Sequence, residues 1–298
     1  MIEEVSKSSI DDVVQFHKKL GGYFKRFRGG ALQPWVQHPD YRDKMTLEER
    51  ITLTFLQADQ LVLSREDTRR CGSTASIALI QSLDNPVQPF YAAQKISLTT
   101  AHLGYAFIKV QRQSYADHPP STRRDTKILL CNKQTGKVEP LTEKHHAESR
   151  VETTRLRRLG GQLITDSFGE SRWMGAIENT RSFGDGDFKP FGVTAEPEIK
   201  HRIVNGGDYA YMVLVTDGIS TLISNQEIID LARTSSSPQR AAQAIVNFAG
   251  DLGAEDNCTC MVVPLAGWGS VGGKDETEAR REYRKSKVSA LSSRSRRM

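Results

Sequence analysis

Between Tyr209 and Leu265 the apolar and polar positions sort into a strand, two helices and a second strand. The first strand runs through Tyr211-Met-Val-Leu-Val-Thr-Asp217-Gly. The second reads Asp256-Asn-Cys-Thr-Cys-Met-Val-Val-Pro-Leu265. Between them, Ser224 with Glu227 forms a capping box that predicts a helix over 226–233. Ser237-Pro238 supplies a cap and a first-turn proline for a second helix through Leu252, closed by Gly253. If the two strands pair antiparallel, Asp217 at the end of one lies beside Asp256 at the start of the other. Two carboxylates at one sheet edge suit a hard divalent cation such as Mg²⁺ or Mn²⁺. The alternative is that both cap turns, as Asp-Gly and Asp-Asn often do.

The same patterning organises the rest of the chain. Residues 11–20 read as a helix stopped by Gly21-Gly22, followed by a basic and aromatic stretch from Phe24 to Arg28. Thr46, with Glu48 and Glu49 in the first turn, predicts a helix over 46–63. Leu47, Ile51, Leu53, Phe55 and Leu56 form its core stripe. Small residues from Cys71 lead into a buried strand ending at Ile80, and 95–103 reads as another. Residues 125–141 form a hairpin. A charged helix at 148–159 ends at Gly160-Gly161, and 172–177 is a strand. Residues 105–124 break this rhythm, with neither caps nor a period.

Composition adds limits. With 298 residues, 38% hydrophobic and 26% charged, the chain has the make-up of a soluble globular protein. Four irregularly spaced cysteines point to reduced thiols and an intracellular setting. No apolar run reaches membrane-spanning length. Gly267–Met298 holds nine Lys/Arg and four Asp/Glu, so this segment carries the whole net charge of +5. A basic nucleic-acid face on the body is therefore not indicated. The tail, rich in Gly and Ser, is expected to be disordered apart from a helical turn within 275–287.

Seven short motifs, in order, resemble the metal-dependent Ser/Thr protein phosphatases of the type 2C (PPM) family. They are Gly72-Ser-Thr-Ala75, Gly104 joined to Asp125-Thr-Lys, Arg158-Leu-Gly-Gly161, Asn179-Thr-Arg-Ser-Phe-Gly-Asp185, Glu196-Pro-Glu198, Thr216-Asp-Gly218 and Asp256-Asn257. The resemblance covers about 40–265, with its finer likeness to a fungal subgroup that includes mitochondrial members. It implies an α+β fold: a four-layer α-β-β-α sandwich of two antiparallel sheets. It also implies two Mn²⁺ or Mg²⁺ ions per site and attack of a metal-bound water on phosphoserine or phosphothreonine in a protein. By the same resemblance, Asp217 and Asp256 are metal ligands, and Asp125 is a further one. Gly218, Asn257 and Asp185 lie near the site, and Asp59 is structural.

The chain departs from the family pattern twice. The family's N-terminal strands carry a phosphate-holding arginine and Asp-Gly-His-Gly-Gly, with its bridging carboxylate and proposed general acid. No Asp-Gly-His occurs here. No catalytic residue is assignable, and the chain is expected to lack the family's N-terminal segment. Residues 105–124 interrupt the Gly-Asp-Thr motif, as an insert with the look of a retained intron would. A transcript that still encodes them would sink that idea. The expected organisation is therefore a phosphatase-like domain over 1–266 and a tail over 267–298. Its partner is a phosphorylated protein, with no DNA, and the chain is expected to be a monomer, mitochondrial or otherwise cytoplasmic. The rival reading is a catalytically inactive module of the same fold that binds a protein.

Among the remaining residues, His145-His146 read as a solvated loop. Cys258 and Cys260 read as core thiols on alternate strand positions. Arg158, Arg172 and Arg181 read as salt-bridged surface.

Overall fold

The alternation of the apolar residues builds two sheets that share one core. In this computed structural model the described residues are 46–69, 71–104, 126–143, 145–146, 149–157, 163–165, 171–173, 180–277 and 279–280. The elements are helix α1 (Leu47–Ser64), strands β1 (Gly72–Ser73), β2 (Ala75–Ser82), β3 (Lys95–Leu103), β4 (Thr126–Asn132) and β5 (Val138–Pro140), and helix α2 (Arg150–Arg157). There follow β6 (Leu163–Thr165), β7 (Ser171–Trp173), β8 (Phe183–Gly184), a 3-10 helix (Gly186–Phe191), β9 (Glu198–Asn205) and β10 (Tyr209–Thr216). The chain continues with α3 (Asp217–Ser220), α4 (Asn225–Ala232), α5 (Pro238–Asp251) and β11 (Cys260–Pro264).

One sheet has the order β11-β10-β4-β5 and the other β2-β3-β9, each antiparallel throughout. Successive side chains in a strand point to opposite faces. Ile128 and Leu130 of β4 and Met212 of β10 therefore meet Ile96 and Leu98 of β3 in a core between the sheets. Leu129, Tyr211, Val213 and Val215 point the other way, onto Ile228 and Ile229 of α4 and Ile245 of α5. Ala101 and Leu103 of β3 pack on Leu53, Phe55 and Leu56 of α1. The layers are thus α1, sheet, sheet, and α4 with α5, which is the α-β-β-α arrangement expected.

Local chemistry explains the helix starts. The Thr46 hydroxyl accepts the Glu49 N–H while the Glu49 carboxylate accepts the Thr46 N–H. Ser224 and Ser237 accept from the N–H groups of Glu227 and Arg240.

Four expectations need correction. Leu47 is exposed, because it occupies the first turn of α1, ahead of the stripe that begins at Ile51. Strand β2 is half-buried rather than buried, since among the described residues it pairs only with β3. Cys258 precedes β11 instead of lying on it, though both it and Cys260 pack against the core. The segment after Gly267 is docked through Gly273. Trp268 stacks edge-on against Tyr211, and the Gly272 N–H donates to the Lys133 carbonyl. The expectations for 11–37, 105–124, Arg158, Gly160-Gly161, 174–177 and the tail beyond Arg280 concern residues outside the described set.

Candidate metal centre

Strands β10 and β11 place their aspartates at one sheet edge. The pairing runs from Tyr211 opposite Pro264 to Val215 opposite Cys260. Beyond it, Thr216 clamps the two chains together. Its hydroxyl accepts the Thr259 N–H at 2.9 Å and donates to the Asn257 carbonyl at 3.1 Å. Asp217 follows at once, buried at the start of α3, with its carbonyl held by the Thr221 hydroxyl. A Cβ on Gly218 would sit 2.6 Å from the Asn257 carbonyl oxygen. Glycine is thus what lets the Asp217 turn close against the Asp256-Asn257 backbone. The Asp256 carboxylate accepts the Asn257 N–H at 2.7 Å, which fixes it in a tight turn. Cys258 senses the result: burial pushes its thiol pKa up, and the charges of Asp256 and then Asp217 push it further.

The other side of the edge is β4, whose first residue Thr126 is the partner of Thr216. Asp125 lies outside the described residues. Among those residues no cluster of three His, Cys, Asp or Glu side chains forms a metal cage. The donor set fits a hard cation in kind, two carboxylates at one edge, but not in number. Mg²⁺ asks for six oxygens, so such an ion would keep most of its water.

Asp59 and Asp185 sit between α1 and β8. Asp59 accepts the Gly184 N–H at 2.7 Å and pairs with the Lys189 ammonium at 2.8 Å. Burial raises the Asp59 pKa and lowers that of Lys189, and the ion pair pulls both back. Asp185 has a left-handed backbone with φ of 50°, and it accepts the Ser182 hydroxyl at 2.5 Å. A Cβ at Gly72 would collide with its carboxylate, which accounts for the glycine of the Gly-Ser-Thr-Ala run.

Two buried polar groupings escaped the sequence reading. His145 is 4% exposed rather than solvated. Its Nδ1 accepts the Gly104 N–H at 3.2 Å, and its ring stacks on His102 at 5.0 Å. The Ser76 hydroxyl lies 2.7 Å from His102 Nδ1. Burial, with Arg181 and Lys200 adding to it, brings the His102 pKa down to about 4. Arg181 is buried too, its guanidinium on the Glu152 carboxylate and on the Glu196 carbonyl. The Thr180 hydroxyl donates to the same carboxylate at 2.6 Å. A polar residue preceding a helix gives no local sign that a distant strand will cover it, so neither grouping had a sequence signal.

Comparisons with known proteins agree with the fold. Residues 125–258 match the family model "Protein phosphatase 2C". Protein phosphatase 2C homolog 4 of Schizosaccharomyces pombe is 31% identical over 275 residues, covering 90% of this chain and 65% of that protein. The mitochondrial protein phosphatase 1K of Xenopus laevis is 34% identical over 199 residues, covering 67% of this chain and 44% of that one. The chain thus spans less than two thirds of either relative. The solved serine-threonine phosphatase 2C from Toxoplasma gondii superposes with a TM-score of 0.55 at 18% identity, over 88% of this chain and 77% of that one.

Proposed function

The chain belongs to the protein phosphatase 2C family, and from that premise we propose that it contributes to metal-dependent hydrolysis of phosphoserine or phosphothreonine in proteins. Family members are protein serine/threonine phosphatases. The observation that supports the reading here is the convergence of Asp217 and Asp256 at the β10–β11 edge, closed by Thr216 and Gly218. In this reading the two carboxylates supply oxygens to Mn²⁺ or Mg²⁺, with Asp125 as a further donor and Asp185 behind the site. Such a metal, when bound, lowers the pKa of its water and offsets phosphate charge. The Thr216 hydroxyl ties the β10 end to the Asn257 and Thr259 backbone, so the two aspartates leave neighbouring chain positions.

The test is Mn²⁺-dependent release of phosphate from a phosphothreonine peptide. Fused behind a segment that carries Asp-Gly-His-Gly-Gly, the chain is expected to turn over and to lose turnover in Asp217→Asn. The 298 residues alone are expected to sit near background, since two carboxylates leave the cation weakly held. Turnover that ignores Asp217→Asn would sink the reading. The rival reading is an inactive module of the same fold that binds a protein partner. It is supported if the fused chain binds phosphopeptide and does not cleave it. Two relatives are named as mitochondrial, and we infer that compartment for this chain as well. Cell fractionation checks it. No helix among the described residues is long and apolar enough to cross a membrane.

A further inference from the structure

The segment expected to be a loose tail instead borders a cleft. After β11 it is held at both ends of a short span. The Gly267 N–H donates to the Tyr209 carbonyl, and the Gly272 N–H to the Lys133 carbonyl. Between them Trp268 meets Tyr211 edge-on, with ring centroids 5.5 Å apart. The turn between α4 and α5, from Arg233 to Ser236, supplies the other side. Together they line a cleft of about 750 Å³. Tyr209 opens β10 and Asp217 follows its last residue. The cleft and the aspartate edge therefore lie at opposite ends of that strand, roughly 25 Å apart.

The lining is rich in donors. One wall supplies Arg233, Thr234, Ser235 and Ser236, and the other supplies Trp268 and Ser270. Among the described residues no carboxylate lines it. The Arg233 side chain is 8% exposed. Its guanidinium donates to the Gly273 carbonyl at 3.0 Å and to the Gly136 carbonyl at 3.5 Å, and it pairs with the buried Asp230 at 3.4 Å. These contacts fix its plane and leave Nε without a hydrogen-bond partner among the described residues. A buried N–H with no acceptor is costly, and an acceptor entering from the cleft would satisfy it. Arg240 adds a second cation, donating to the Ser236 hydroxyl at 3.1 Å. Ser236 also directly precedes Ser237, the N-cap of α5, whose first turn carries partial positive charge.

We propose that this cleft binds a phosphate monoester that carries a planar ring, of the size of a nucleoside monophosphate. The phosphate meets the hydroxyls and guanidinium of the α4–α5 turn, and the ring lies against Trp268. Phosphate brings negative charge and several acceptor oxygens, which match a wall of donors without carboxylates. Indole offers a flat apolar surface on which a ring of any sequence or substituent can stack. The volume separates this ligand from a bare anion. Clefts of several hundred Å³ hold small organic molecules, whereas an inorganic ion would leave most of the space to water.

The test is isothermal titration calorimetry on the 298-residue chain in EDTA, so that no cation at the aspartate edge draws phosphate. The probes are adenosine monophosphate, adenosine and inorganic phosphate. The monophosphate engages both walls and is expected to bind about tenfold more tightly than either fragment. Ser236 is exposed, so Ser236→Glu places a carboxylate on the lining without disturbing the fold. It is expected to weaken the monophosphate about tenfold and to leave adenosine unchanged, with the melting temperature of the parent. Trp268→Leu is expected to weaken the monophosphate and adenosine and to spare inorganic phosphate. Because Trp268 packs on Tyr211, Ser236→Glu carries the test if Trp268→Leu fails to fold. No binding of the monophosphate at millimolar concentration, or binding no tighter than that of inorganic phosphate, overturns the proposal. So does monophosphate binding that is unchanged in Ser236→Glu or in a folded Trp268→Leu.

Discussion

Two regions of this protein bury aspartates for opposite ends. At the α1 corner, Asp59 meets an ammonium at 2.8 Å and a backbone N–H at 2.7 Å. At the β10–β11 edge, Asp217 and Asp256 are brought toward each other by a register, a threonine clamp and a glycine. The first arrangement neutralises charge inside the fold, and breaking it should unfold the protein. The second gathers like charge at a sheet edge, where a cation is the natural complement. Residue type is the same in both, and Asp59 and Asp217 are both buried while Asp256 is half-exposed; the neighbours decide the role.

The sharpest way to break this comparison is to exchange the expected penalties. Lys189→Met leaves Asp59 buried without its cation and is expected to cost roughly 3–5 kcal/mol in denaturant unfolding. A cost near zero would show that Asp59 is not structural. Next in size is the His102 corner. A base whose folded pKa is about 4 against 6.5 in the unfolded chain stays neutral in the fold, while the unfolded chain takes up a proton. Its contribution is fully present above pH 6.5 and is lost as pH falls toward 4, amounting to about 3 kcal/mol. Buried Asp59 and Asp230, whose pKa values are raised, work in the opposite sense over acidic pH. The check is therefore the difference in unfolding free energy between the protein and His102→Gln, measured at pH 7 and pH 4.5. The difference is expected to shrink at the lower pH.

Gly218→Ala drives a methyl into the Asn257 carbonyl and is expected to cost about 1–3 kcal/mol while weakening Mn²⁺ binding. If melting falls and Mn²⁺ affinity does not, the close approach serves packing alone. Smallest of all is the effect of Asp217→Asn on metal-free stability, expected within about 1 kcal/mol because it removes one of two like charges. A loss as large as that of Lys189→Met would make the two regions alike.

The parts of this architecture legible in sequence are those specified by neighbours three or four residues apart. Thr46 with Glu49, Ser224 with Glu227, and Ser237-Pro238 marked helix starts because capping is local chemistry. Strands β4 and β10 were readable from their continuous apolar runs, which the covering of both sheet faces explains. The edge shared by Asp217 and Asp256 followed from one assumption, antiparallel pairing, which the register bears out. The burial of His145 and of Arg181 was not legible. Gly104 lies 41 residues before the histidine that accepts its N–H, and Glu152 lies 29 before Arg181. The docking of Trp268 was hidden in the same way, within a stretch whose glycines and serines resemble a linker. Only the fold brings Tyr211 beneath its ring.

The shared-cation claim is tested most directly by Mn²⁺ titration of four proteins: the chain itself, Asp217→Asn, Asp256→Asn and the double variant. With one ion held by both carboxylates, we expect weak binding in the parent, with a dissociation constant on the order of a millimolar. Each single variant should lose most of that affinity, and the double variant should lose little more than either, the coupling that a common ligand imposes. Affinity losses that simply add, or Mn²⁺ binding that survives both substitutions, would contradict a common site at the β10–β11 edge.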